Sequence, residues 1–258
     1  MEIEYKTKIG NIKFNSKYIN GVIGNRVSDI EEIIKVDNES IDKILLDRKT
    51  LLKDDYNTLK RKISIVKKND YLNIQTGTIN ELMEYILKQR KIYPKNSQKK
   101  ISDSLRIVGL DKSILEINIK SISRSEIKLL QIAISLLSNP DILVIEEPFD
   151  YLDLKNIKNI MIVLRKVKEQ YNKVIIFISD DIEKIYQHTD KIVIYGSKGI
   201  LIIGDTKKVF QKVEELKENK IYIPKIVDFT YTAKKEKKVK IDYHSDIRDI
   251  IKDIYKHV

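Results

Sequence analysis

The stretch Asn139-Pro-Asp-Ile-Leu-Val-Ile-Glu-Glu-Pro-Phe-Asp-Tyr-Leu-Asp153 decides how the rest of the chain is read. Ile142–Ile145 is a run of four apolar residues, the pattern of a strand covered on both faces. Two carboxylates, Glu146 and Glu147, follow at its C-terminal end. In open α/β sheets ligands sit beyond the carboxyl ends of the strands, so two acids at that edge point to a site. The bland alternative is a buried strand that ends in a polar turn.

Working outward, further strand-like runs lie at Ile3–Tyr5, Ile19–Ile23, Ile63–Val66, Val174–Ile178, Lys191–Tyr195 and Ile200–Ile203. Helical patterns fill Asp29–Val36, Ile79–Lys91, Ser97–Val108, Ser125–Leu137, Leu154–Tyr171 and Asp181–His188. Strands alternating with helices predict an α/β fold with a mostly parallel sheet. The block from about 80 to 135 holds no convincing strand and is predicted to be a helical insertion. On this reading residues 1–210 form the sheet domain, and 211–258 a helical C-terminal extension.

The 258 residues, 42% of them hydrophobic, suit one packed domain with a small appendage. The absence of cysteine excludes disulfides and thiolate metal sites. Met1–Phe14 carries no apolar run of the signal-peptide kind, and no stretch reaches the roughly 18 apolar residues of a membrane span. A soluble cytoplasmic chain is therefore expected. Net charge is +11, from 49 Lys and Arg against 38 Asp and Glu. The basic residues are interspersed with acidic ones, and only Lys234–Lys240 forms a tight cluster, so nucleic acid is not the expected partner.

The Asn139–Asp153 stretch and its surroundings resemble the ATP-binding subunit of an ABC transporter. In that family the apolar run is the Walker B strand. Its first acid, here Glu146 rather than the usual Asp, stands at the Mg²⁺ position, and Glu147 stands at that of the base polarising the attacking water. Pro148 and a turn ending in Leu152-Asp153, the D-loop position, complete the pattern. A signature segment opens a helix shortly before Walker B in the family, and Ile122-Ser-Arg-Ser-Glu126 falls there without a gap. Val108–Asp111 resembles part of the family's helical subdomain, and Gly204–Phe210 the segment that closes its domains. Ile223–Asp228 resembles one subgroup, the energy-coupling-factor (ECF) importers, whose ATPase subunits carry a C-terminal helical extension. The resemblance implies a P-loop NTPase-like ABC ATPase fold and, at the inner face of the cell membrane, two kinds of partner: another ATPase subunit and a transmembrane transport subunit.

The phosphate-binding loop departs most from the family. Its pattern, G-x-x-G-x-G-K-[ST], lets backbone N–H groups approach the phosphates, while Lys neutralises charge and Ser/Thr ligates Mg²⁺. Aligned without gaps on Gly24-Asn25-Arg26-Val27-Ser28-Asp29-Ile30-Glu31, only Gly24 meets a motif glycine. Val27 and Asp29 take the other two glycine positions, Ile30 the lysine and Glu31 the hydroxyl. A lysine–phosphate pair is worth about 4 kcal/mol before desolvation at ~4 Å and an effective dielectric of about 20. Asp29, Glu31 and Glu32 add like charge, and Arg26 is the only cation within the loop. Other positions change too. Lys68 stands where the family has a Mg²⁺-sensing Gln. Arg124 and Ser125 replace the signature glycines and Glu126 its Gln, while Ser123 is kept. Asp180 takes the place of the switch histidine, and His188 reads as an ordinary surface residue.

Three functions stay open on these residues. The first is a catalytically impaired partner (pseudo-ATPase) in an ABC/ECF-type membrane transport complex, paired as a heterodimer with a competent ABC ATPase subunit. The second is an active ABC ATPase with atypical motifs. The third is a soluble regulatory or nucleic-acid-binding protein derived from the family. A retained Glu147 among lost phosphate-handling residues favours the first, with ATP and Mg²⁺ as cofactors only if the altered loop still binds them. Replacing Ile30 with Lys and Glu31 with Ser is then expected to restore some binding. The 211–258 extension is expected to hold the partner, and its removal to leave the core folded.

Overall fold

The computed structural model describes residues 1–24, 27–37, 39–68, 77–89, 96–196, 199–237, 241–244 and 246–256. The chain runs β1 (Glu2–Thr7), β2 (Gly10–Asn15), β3 (Ile19–Gly24), α1 (Val27–Ile34), β4 (Ile41–Leu46), β5 (Lys49–Thr50), α2 (Tyr56–Arg61) and β6 (Ile63–Val66). Then come α3 (Ile79–Gln89), α4 (Ser97–Ile107), α5 (Arg124–Leu137), β7 (Ile142–Glu146), α6 (Leu154–Tyr171), β8 (Val174–Ile178), α7 (Ile182–His188) and β9 (Lys191–Gly196). The C-terminal part is β10 (Gly199–Asp205), α8 (Thr206–Phe210), α9 (Val213–Glu218), α10 (Lys225–Lys237) and α11 (Ile247–Lys256).

The larger sheet has the order β10-β9-β3-β8-β7-β6. Its pairings are parallel from β9 through β6, and β10 closes the edge antiparallel to β9. Along β7 and β8 the side chains alternate between two cores. Leu143, Ile145, Ile175 and Phe177 enter one, Ile142, Val144, Val174 and Ile176 the other. Continuous apolar runs are what such two-sided burial demands.

The second sheet, of order β2-β1-β4-β5, is antiparallel throughout and shares its core with α1. The sequence reading found only its first strand. In β2 the buried Ile12 and Phe14 alternate with exposed Asn11 and Lys13, and in β4 buried Ile44 follows exposed Asp42 and Lys43. These short half-polar runs read as loop beside the continuous apolar strands.

Parallel neighbours β6 and β7 are separated in sequence by α3, α4 and α5, and Leu82, Met83, Ile101, Leu105, Leu129 and Leu130 pack this helical arm into the first core. Arg90 and Lys91, expected to end the first of these helices, lie outside the described residues. After residue 211 the described residues hold the helices α9, α10 and α11, yet Val213, Leu216, Ile221, Ile223 and Val227 are buried in that same core. A side chain buried in this way contributes about 1.5–3 kcal/mol. Truncation at residue 210 would therefore uncover the core, contrary to the expectation that it leaves the body folded. Among the described residues no helix is long and apolar enough to cross a membrane.

Candidate functional site

At the C-terminal end of β7 the two acids part company. Glu147 is buried, with φ +43°, in the left-handed region that side chains rarely occupy. Its N–H donates to the carbonyl of Ile178 (2.7 Å). Its carboxylate is held from both sides: Ser179 donates its hydroxyl to Oε2 (2.5 Å) and Asp180 its N–H to Oε1 (2.9 Å). Asp180, at the switch position, thus contributes a backbone donor to Glu147. His188 is not an ordinary surface residue. It is half-buried with its ring 4.8 Å from that of Phe149, and burial lowers its pKa.

Glu146 faces α1. Its carboxylate shares the cleft wall with that of Glu31 and accepts the N–H of Lys68 (3.0 Å). Burial and the Glu31 contact raise the pKa of Glu146. Burial also opposes ionisation of Glu31, but the neighbouring Glu146 carboxyl and the ammonium groups of Lys35 and Lys67 hold its pKa below the ordinary value. The charge of Glu31 in turn raises the pKa of Lys67. Buried Lys128 of α5 donates to the main-chain carbonyl of Glu146 (2.6 Å), and burial pushes its pKa down to about 8.

The β3–α1 connection explains why Glu31 sits there. Gly24 has φ +126°, and a Cβ on it would run into the carbonyl of Tyr195, so this glycine is required by a close backbone approach. The helix begins at Val27, three residues before the lysine position. Ser28 and Asp29 are already helical, and Asp29 takes a hydrogen bond from the Tyr195 hydroxyl (3.3 Å). Ile30 is fully buried beside Ile33 and Ile34, and Tyr5 caps the Ile34 carbonyl (3.2 Å). Ile30 therefore belongs to the core, and Ile30→Lys would bury a charge there, contrary to the expectation that it restores phosphate binding. Asn25 and Arg26 lie outside the described residues.

A cleft of about 180 Å³ remains between these elements, where Glu31, Glu146, Glu147 and Asp180 face one lysine, Lys68, with Ser28 on the rim. Among the described residues no three His, Cys, Asp or Glu side chains are grouped as a metal would require. Among the described residues the donor set is a poor match for a Mg²⁺–nucleotide: Glu147 is tied to Ser179 and Asp180, Glu31 is paired with Lys35 and Lys67, and the lysine position holds the buried Ile30.

The signature segment opens α5 through a reciprocal cap. Ser123 gives its N–H and its hydroxyl to Glu126 Oε2 (both 2.7 Å), and the Glu126 N–H returns to Ser123 Oγ (3.3 Å). These bonds hold the Glu126 carboxyl below its ordinary pKa. The Ser125 hydroxyl lies 3.1 Å from that of Ser123, and the Arg124 guanidinium is 5.2 Å from the centre of the Tyr151 ring. Asp153, at the D-loop position, caps α6 by accepting the N–H of Asn156 (2.7 Å). Three residues that hold the acids of the cleft were missed in the sequence: Ser179 in its wall, and Lys67 and Lys128 behind it. The motif Ser123-x-x-Glu126 was itself a visible helix-start signal. Lys128 carried none, because a lysine on a helix reads as solvated until its neighbours are known.

The described family model "ABC transporter" matches residues 22–150. Among curated proteins, an energy-coupling factor transporter ATP-binding protein, EcfA3, of Oenococcus oeni is 27% identical over 188 residues, covering 69% of this chain and 64% of the relative. The EcfA2 protein of Clostridium perfringens is 24% identical over 183 residues, covering 70% and 63%. The chain thus spans less than two thirds of the length of these relatives. Among solved structures, CbiO1 of Clostridium perfringens, part of the transporter complex CbiONQ, superposes with a TM-score of 0.67 at 18% identity, over 89% of this chain and 96% of that one. The dimeric ATP-binding cassette MJ0796 with ADP and Pi gives 0.64 at 18% identity, over 80% and 99%. These two likenesses concern the fold.

Proposed function

The chain belongs to the ABC transporter family, and we propose from that premise that it is a catalytically impaired ATP-binding-type subunit, a pseudo-ATPase, of an ECF-type import complex. One observation carries the reading. Helix α1 starts at Val27 and buries Ile30, so helix and paired carboxylates stand where the family's loop wraps the phosphates. A triphosphate entering the cleft would meet Glu31, Glu146, Glu147 and Asp180. Each unscreened like-charge contact costs about 4 kcal/mol at ~4 Å and an effective dielectric of about 20. Glu147, turned onto Ser179 and Asp180, acts as a structural tie in place of a base.

The scaffold is retained, and that supports a role in assembly. A competent ATPase subunit is the proposed partner, with a transmembrane subunit holding the pair at the inner face of the membrane. The ATP-binding proteins of ECF transporters among the relatives support this choice. The test is co-expression with an ECF-type ATPase subunit of intact motifs. At most one nucleotide per heterodimer is expected. Glu147→Gln should leave the heterodimer's ATPase rate unchanged, whereas the same change at the partner's base should abolish it. Two bound nucleotides, or a rate that falls with Glu147→Gln, would overturn the reading in favour of an active ATPase.

A further inference from the structure

The C-terminal extension meets the body at α7, the short helix that follows the loop holding Glu147. Glu183, in the first turn of α7, accepts the N–H of Lys225 (2.7 Å), the first residue of α10. It thereby satisfies one of the donors that a helix start leaves open. Tyr186, one turn on, donates its hydroxyl to the carbonyl of His244 (3.4 Å) while its buried ring packs edge-on against Phe210 (5.5 Å). At the same end of α7 as Glu183, the N-cap Asp181 accepts the N–H of Lys184 (3.1 Å) and donates its own N–H to Ser179 Oγ (3.0 Å). Ser179 and Asp180 then hold the two oxygens of Glu147. Hydrogen bonds on either side of the first turn of α7 therefore lead from the extension to the acid at the end of β7, while Tyr186 ties the extension to the turn that follows.

We propose that the extension is mechanically coupled to the seat of Glu147 through α7, so that displacing α10 loosens the Ser179–Asp181 loop. Glu183 stands two residues from Asp181, so the chain between the extension contact and the Ser179–Asp181 loop is too short to absorb a shift, and a helix of two turns, about 10 Å long, carries the Tyr186 contact to the same turn. Whatever engages the extension then alters how Glu147 is held. This coupling goes beyond the pseudo-ATPase reading and stands whether or not the chain binds nucleotide.

Hydrogen exchange on the full-length chain tests it. Lys225→Pro deletes the N–H that Glu183 accepts without altering α7, at a first helical position where proline is tolerated, and the amides of Asp180, Asp181 and Ile182 are expected to exchange roughly five- to tenfold faster, the scale of one lost net hydrogen bond. Those of β7 and β8 should not change. Tyr186→Phe, which keeps the ring packing and deletes only the hydroxyl, should act on the same amides by a smaller factor. Faster exchange confined to Ile226–Asp228 would mean the extension merely rests on α7. An even rise through β7 and β8 would mean lost global stability. Either result overturns the coupling.

Discussion

The two walls of the cleft have diverged in opposite ways. On the β7 wall Glu147 and Asp153 stand at family positions and are both tied to the protein: one holds the Ser179–Asp180 loop and the other caps α6. On the β3–α1 wall a core isoleucine, Ile30, and a lysine-paired glutamate, Glu31, stand at the positions that the gapless alignment gives to a lysine and a hydroxyl. Motif identity and motif use are therefore separate questions. A retained acid says little until its partners are known, while a replaced lysine becomes decisive once the replacement is seen to be buried. Changes on each wall can break or sharpen this contrast.

The largest effect is expected on the α1 wall. Ile30→Lys should cost at least about 3 kcal/mol, from lost packing and a buried unpaired charge, read as a lower denaturation midpoint. It should bring no ATP binding. A stable variant that binds ATP would show that the helix can rewind into a loop. On the β7 wall, Glu147→Ala should destabilise by about 1–3 kcal/mol, because the Ser179 hydroxyl and Asp180 N–H lose a buried acceptor. Unchanged stability would mean that this acid is kept for chemistry. The smallest effect is at the signature: Glu126→Ala removes half of a reciprocal cap and should cost about 1 kcal/mol. No loss would return Glu126 to the status of a replaced glutamine.

Much of the larger sheet was legible because its strands are buried on both faces and so read as continuous runs, Ile142–Ile145 and Val174–Ile178 above all. The antiparallel sheet was not, since one polar residue between two apolar ones, as at Lys13, is the pattern of a strand and of a loop alike. In the site, positions followed from spacing but roles did not. Glu126 read as damage to a motif and is a helix cap. Ile30 read as a missing lysine and is core. His188 read as surface and packs on Phe149. Each role depends on what lies across the fold, which one sequence leaves open.

The central claim is that this cleft no longer takes a nucleotide, and thermal unfolding of the purified full-length chain in millimolar ATP and Mg²⁺ tests it most directly. A ligand at 100 times its dissociation constant would stabilise the fold by about 2.7 kcal/mol, an easily measured rise in Tm. The structure predicts a Tm unchanged from that in nucleotide-free buffer. A rise that saturates with ATP and requires Mg²⁺ would contradict it.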